Sequence, residues 1–502
     1  MWAKMNLECS EKRVNNAYAS YLECENELLA RSLSGELDSL DALADFERNA
    51  AMLWYAPFYE LDKSLWEGLP YTPQHGPGST ADGLIGNQKF LQTVWHERLE
   101  TFFPSEEYLI PNYRYRDELD RVRFVEPGDE SPVKVIHVPK TQSTPRIIAM
   151  EPTCMMYVQK ALQNRFYEIL DGPGYYPSKG VVGLVDQTPN QRLAQQGSLT
   201  GELATLDLSE ASDRVPNQLV KSLFARLPSL SQAVQDCRSL RADVRGEVIE
   251  LTKFASMGSA LCFPIEAMVF ATILFGAWRQ EFNKPLTRAS VQEFASCVRV
   301  YGDDIIVPVD MTQTAIEHLT FYGFKVNEHK SFWTGRFRES CGKDYYAGED
   351  VSVVRLRRHF PSSLSDAEET HSLIEFRNQL YKAGYWTTVR FLDDFLEQHL
   401  NGYYPVVAET SPVSSRISFL GYETERVHPR TFSPLIKGYR YVSTIPVNSV
   451  DDWQALMKCF LISCDKEVHQ LDFLLPITDT KHLTHSGRAQ TSRMSLGWAS
   501  PF

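Results

Sequence analysis

Two apolar runs meet at a short acidic turn, Tyr301-Gly302-Asp303-Asp304, and that junction constrains the fold more than any other stretch of the 502-residue chain. Val298, Val300 and Tyr301 lead in; Ile305, Ile306 and Val307 lead out before Pro308 closes the second arm. The pattern predicts strand, Gly-Asp turn, strand. A surface hairpin alternates apolar and polar residues, whereas this second arm is solidly apolar, so the hairpin belongs to a buried sheet. Two adjacent carboxylates at the lip of such a sheet are costly unless they are paired or hold a metal. Gly-Asp-Asp is expected by chance in roughly one chain in ten of this length, so it needs partners elsewhere in the sequence.

One partner lies upstream. Leu203-Ala204-Thr205-Leu206 reads as a short strand ending in Asp207, followed by Leu208-Ser209-Glu210-Ala211-Ser212-Asp213 and a helix that Pro216 helps to start. Ser212 and Asp213 suit the cap of that helix, which leaves Asp207 at a strand end with no structural duty. Two divalent ions about 3.5 to 4 Å apart need carboxylates from separate strands meeting at one point. Asp207, Asp303 and Asp304 form such a set, catalytic and metal-binding at once, for two Mg2+ ions with Mn2+ as the substitute. One ion would activate a 3′-hydroxyl and the other steady a leaving pyrophosphate. Between these acids, Ser256-Met257-Gly258-Ser259 reads as a loop feeding a helix, whose N–H groups suit a phosphate. The run from Phe263 to Trp278 carries Glu266 and falls short of the roughly 18 apolar residues of a membrane span, so it reads as a buried core helix.

Taken together, Asp207-Leu208-Ser209-Glu210-Ala211-Ser212-Asp213, Ser256-Met257-Gly258, Tyr301-Gly302-Asp303-Asp304 and Phe337-Arg338-Glu339-Ser340-Cys341-Gly342 resemble, in order and spacing, the catalytic beta subunit of the RNA-directed RNA polymerases of leviviruses, small positive-strand RNA bacteriophages. The resemblance runs from about residue 130 to 355. It implies an α+β, right-hand polymerase with fingers, an antiparallel palm sheet flanked by helices, and a thumb, copying a phage genome through a complementary strand. The segment from His137 to Pro152 looks like the fingers element over the incoming triphosphate, with Lys140 and Arg146 neutralising phosphate. Nucleotide binding is further expected of Asp213, Ser256 and Gly258. The chain departs from the family at Ser259-Ala260-Leu261-Cys262, where relatives carry Asn-Gly and a later Thr; the ribose 2′-hydroxyl is assigned to Asp213, with Ser256 or Ser259 assisting. Lys330, or Lys325, is the candidate general acid for the leaving pyrophosphate, and Arg338 and Lys343 are expected on the priming strand. The family also implies partners: RNA template, nucleoside triphosphates, host elongation factors Tu and Ts and a ribosomal small-subunit protein, with the acidic N-terminal surface as one docking face.

Rival classes are a reverse transcriptase-like polymerase, a non-catalytic RNA-binding subunit and a metal-dependent nuclease. Residues 208 to 215 contain no aromatic to exclude a 2′-hydroxyl, which favours ribonucleotides. The intact acid set disfavours a mere RNA binder, since negative charge in an RNA channel weakens binding. The net charge of -13 is uneven: the first fifty residues carry ten acids against five bases, whereas residues 325 to 358 hold eight bases against five acids. Arg355-Leu356-Arg357-Arg358 suits an RNA backbone. Nine cysteines without a Cys-x-x-Cys pair predict a reducing compartment, no disulfide framework and no zinc site. With no apolar signal core or membrane segment, the host bacterial cytoplasm is expected. The division expected is 1–105 helical, 106–200 fingers, 201–350 palm with a catalytic core at 193–325, and 351–502 thumb and C-terminal region. Helices are expected at Ala367 to Leu380 and Trp386 to Leu400, and an exposed tail at 481–502.

Overall fold

In a computed structural model of the chain, the described residues are 9–35, 40–140, 144–467, 483–485 and 491–502. Two four-stranded sheets organise the part that holds the motifs. The first carries the acids, in the order Lys325–Val326, Leu203–Ser209, Asp304–Pro308, Arg299–Tyr301, antiparallel throughout. Ile305, Ile306 and Val307 are all buried, which explains an arm without alternation: both faces of the strand are covered. Helix Thr188–Thr200 packs on strands Leu203–Ser209 and Asp304–Pro308, and helix Cys262–Glu281 packs on strand Arg299–Tyr301. Contrary to the sequence reading, it is long and apolar enough to cross a membrane, but 89% of its apolar window is buried inside the protein, so it is the core helix that the sequence predicts. Helix Leu40–Trp66 packs on it, with Trp54 Nε1 donating to Thr272 Oγ1 at 2.9 Å.

The second sheet runs Arg146–Met150, Val133–Val138, Arg241–Val244, Glu247–Glu250. Val133–Val138 pairs parallel to Arg241–Val244, so the chain between them is a crossover, and that crossover contains the first acid-bearing strand. Residues 201–350, expected as one palm, therefore supply strands to both sheets. Helix Glu11–Ser34 seals the second sheet: Val14, Tyr18 and Tyr21 share a core with Val133, Val135 and Val244.

The C-terminal region has its own core. Helices Ala367–Lys382 and Trp386–His399 form where the sequence predicts and meet through Leu373, Ile374, Leu392 and Leu396. The expected tail is corrected over Thr491–Ala499, which pairs antiparallel with Pro434–Thr444 along all its 9 residues. Serines disguised a period-two pattern, Met494, Leu496 and Trp498, that belongs to a strand. Residues 481–482 and 486–490 of that expectation lie outside the described residues, as do residues 1–8 and Thr141-Gln142-Ser143 of the segment from His137.

Candidate active site

Sheet register brings the acids together. Asp207 lies directly opposite Asp304, and Asp304 pairs across the hairpin with Tyr301. The turn requires glycine for two reasons: Gly302 has φ +58, and a Cβ there would stand 2.4 Å from the Phe263 ring. The Tyr301 ring meets Phe263 edge-on at 5.3 Å, and its hydroxyl donates to the Leu184 carbonyl at 3.2 Å. Asp303 is exposed at the tip. Asp207 Oδ2 accepts from Asn327 Nδ2 at 3.0 Å and has Lys330 Nζ at 3.7 Å. Asp304 Oδ1 accepts from the Cys341 N–H at 3.1 Å and Ser340 Oγ at 3.4 Å.

Burial pushes the Asp304 carboxyl up to about 6; the Cys341 N–H opposes this, while Asp303 and Asp207 add to it. Asp207 is also raised, by burial first and by Asp303, against Lys330, Asn327 and Lys140. Such mutual repulsion among oxygen donors is what a hard divalent cation relieves, and in that sense the donor set fits the ions expected. Among the described residues, no three acid, His or Cys side chains yet converge tightly enough to cage an ion.

The structure gathers only some of the expected cations. Burial, Arg146 and Lys330 hold Lys140 below the usual lysine range, against the pull of Asp303 and Asp207, so these three cations and two acids share one field. Lys325 pairs with Glu27 at 2.9 Å, so of the two general-acid candidates Lys330 is the one beside Asp207. Lys343 pairs with Asp350 at 2.7 Å. Arg338 corrects the sequence reading. It is 0% exposed, and its guanidinium donates to the carbonyls of Leu203 at 2.5 Å, Phe337 at 2.7 Å and Gly335 at 3.2 Å. Arg338 thus staples its hairpin to the acid-bearing strand and cannot reach RNA.

Around the expected sugar site, Asp213 Oδ1 meets Lys253 Nζ at 3.2 Å. Ser256 is also corrected: it is buried, and its hydroxyl hydrogen-bonds the Tyr21 hydroxyl at 2.9 Å. Ser259 Oγ donates to Gln159 Oε1 at 3.1 Å. Gly258, at φ +132, lies so close to the second sheet that a Cβ would stand 2.0 Å from the Ala149 carbonyl oxygen. Glu266 is buried under the turn, and burial with the charges of Asp303 and Asp213 holds its carboxyl well above the ordinary range.

Sequence reasoning gave Asn327, Lys253 and Tyr21 no role. Asn327 reaches Asp207 through sheet register: it follows strand Lys325–Val326, whose Val326 pairs with Leu208. Nothing local marks the other two, whose partners lie across the fold.

Comparison with known proteins gives a consistent answer. A family model described as RNA replicase, beta-chain, matches residues 126–394. The RNA-directed RNA polymerase beta chain of Enterobacteria phage fr is 38% identical over 226 residues, 45% of this chain and 37% of that protein. The corresponding subunit of Escherichia virus Qbeta is 35% identical over 268 residues, 52% of this chain and 40% of its own length. The chain thus spans about two fifths of the length of these relatives. The RNA-dependent RNA polymerase of a human picobirnavirus is similar at a TM-score of 0.35 and 13% identity over 49% of this chain and 52% of that one, a likeness too low to add to the sequence match.

Proposed function

The chain belongs to the RNA replicase beta-chain family, and from that premise we propose that it is an RNA-directed RNA polymerase that copies a positive-strand phage RNA genome through a complementary strand. The observation that carries the reading is the register of the first sheet, which sets Asp207 opposite Asp304 beside the exposed Asp303, with Lys140, Arg146 and Lys330 in the same field.

Asp207, Asp303 and Asp304 would hold two Mg2+ ions, with Mn2+ able to replace them. When bound, such ions supply charge neutralisation at the attacking 3′-hydroxyl and the leaving pyrophosphate. Lys140 and Arg146 bind the triphosphate from the second-sheet hairpin, where two cations offset the phosphate charge. Lys330 Nζ, exposed and next to Asp207, is the group able to hand a proton to the leaving pyrophosphate oxygen. Asp213 orients the ribose through its 2′-hydroxyl. Gly258 lets its loop lie against strand Arg146–Met150 and so ties the sugar side of the site to the triphosphate side. Lys343 stays a candidate for the priming strand. In this reading the first sheet is the palm, the second with helix Glu11–Ser34 belongs to the fingers, and the C-terminal core is the thumb.

Partners follow from the same premise: RNA template and nucleoside triphosphates, host elongation factors Tu and Ts and a ribosomal small-subunit protein, in the cytoplasm of the infected bacterium. The acidic N-terminal helix supports the docking idea less than its composition suggests, because Glu25 is buried and Glu27 pairs internally with Arg214 and Lys325. Pull-down from bacterial lysate with mass spectrometry checks the host factors.

The test of the activity is nucleotide incorporation on an RNA template by purified protein plus bacterial extract. Wild type is expected to make RNA with Mg2+ or Mn2+ and none after chelation, and Asp207→Asn and Asp303→Asn to lose synthesis by about a thousandfold or more. No synthesis by wild type, or undiminished synthesis by both variants, would remove the assignment. Deoxynucleotides in place of ribonucleotides test the reverse-transcriptase rival.

A further inference from the structure

Lys253 is a lysine that is 0% exposed, and an ammonium so buried survives only where its charge is matched. Its Nζ lies 3.2 Å from Asp213 Oδ1 and 3.6 Å from Glu25 Oε2, and 3.5 Å from the centre of the Tyr21 ring. Glu25 and Tyr21 both belong to helix Glu11–Ser34. The ammonium is therefore held on three sides, by two carboxylates and an aromatic face. Of these neighbours Asp213 alone belongs to the nucleotide site, and its side chain is 17% exposed. The ammonium thus fixes one carboxylate oxygen of a side chain that keeps part of its surface open.

The main chain and the same helix reinforce this geometry. Phe254 N donates to the Val215 carbonyl at 2.8 Å, and Asn217 N to the Thr252 carbonyl at 3.1 Å, so the Lys253 segment is laced to the residues just after Asp213. Glu25 Oε1 accepts from the Thr252 and Lys253 N–H groups. Tyr21 also holds Ser256 through its hydroxyl. Glu210, at the unfavourable φ of +54, is held by Ser20 and by Cys24 Sγ at 3.0 Å. One helix thus grips the turn between Asp207 and Asp213 and the loop that faces it.

We propose that Lys253, clamped by Tyr21 and Glu25 of the N-terminal helix, is a positioning residue for sugar selection that aims the Asp213 carboxylate at the ribose 2′-hydroxyl. This rests on the polymerase reading of the site and names the residues that set its ribose preference. A carboxylate held in place offers a hydroxyl a formed partner, and a deoxynucleotide leaves that acceptor unpaired. When Lys253 is lost, Asp213 is free to turn, and discrimination falls while the chemistry at Asp207, Asp303 and Asp304 stays in place.

The experiment compares kcat/KM for ribonucleotides and deoxynucleotides, using the 502-residue chain with bacterial extract, for wild type, Asp213→Asn, Lys253→Met and Tyr21→Phe. Lys253→Met is expected to lower the ribo-to-deoxy ratio about tenfold or more, mainly through the ribonucleotide KM, with deoxynucleotide incorporation nearly unchanged. Tyr21→Phe keeps the ring over the ammonium but cuts the hydroxyl tie to Ser256 that anchors the Lys253 segment to the helix, so it loosens the clamp and should lower the ratio by about twofold to fivefold. If Lys253→Met does not fold, as judged by circular dichroism and thermal melting, Tyr21→Phe carries the test. Equal losses for both nucleotide classes, or a ratio within about twofold of wild type in every variant that folds, overturn the inference, since a purely structural role lowers both alike. Wild type without any RNA synthesis overturns the polymerase reading and this inference together. Active wild type in which Asp213→Asn lowers the ratio but neither Lys253→Met nor Tyr21→Phe does overturns this inference alone.

Discussion

Two residues show how burial reassigns a side chain whose type was read correctly. Asp304 is an acid where the sequence places one, yet its carboxyl is pushed up to about 6, above the unfolded value of about 3.9. The folded state therefore binds this proton more tightly than the unfolded chain. The resulting stability is present below about pH 4 and is lost as pH rises through about 6, where ionised Asp304 faces Asp207 and Asp303. In divalent-free buffer at pH 8, Asp304→Asn is expected to stabilise the protein by about 1 to 3 kcal/mol in chemical denaturation, with the gain gone at pH 4. Added Mg2+ should raise the stability of wild type and not of the variant. Arg338 is the opposite case, a cation read as an RNA contact and found at 0% exposure among main-chain carbonyls. Arg338→Met should cost about 2 to 4 kcal/mol of stability, because several carbonyls lose their donor inside the protein. A surface RNA contact would leave the melting curve where it was.

Elements were legible where their pattern was strong and self-contained. The hairpin around Asp303, the strand ending near Asp207, the core helix and the two C-terminal helices all appear, since periodicity and turn residues are local properties. Strand Thr491–Ala499 did not declare itself, because its apolar residues are spaced by serine, arginine and glycine and its pairing partner begins at Pro434, far upstream. Its register against Ile436 to Thr444 makes it structural. Truncation after residue 490 is expected to expose Ile436 and Tyr439 and make the C-terminal core protease-sensitive, while the acid-bearing sheet stays resistant. Limited proteolysis with mass mapping of fragments checks this; an unchanged cleavage pattern would sink it.

For the molecule as a whole, a net charge of -13 means that any RNA affinity must come from local basic surface. Arg357 is exposed, whereas Arg358 is tied to Glu368 and Glu369. Arg357→Ala should flatten the slope of log affinity against log salt by about 0.7 to 1, and Arg358→Ala should flatten it less, in filter binding across a salt series. Equal slopes for both variants would mean that this run does not track the backbone. The sequence by itself marked the acids, Asp207 near the end of one strand and Asp303 and Asp304 at a hairpin turn with glycine before them, in short windows whose spacing sets strand, turn and helix; the α+β architecture came from the resemblance that those motifs carry. Only the tertiary structure decided which charges stand beside those acids. It turned Arg338 inward, gave Lys325 to Glu27, left Lys330 beside Asp207, and carried Tyr21 and Glu25 across the fold to the buried Lys253 behind Asp213. Charge pairing and burial depend on neighbours hundreds of residues apart, so the acidic turn that sequence alone singles out acquires its working surroundings only once the chain is folded.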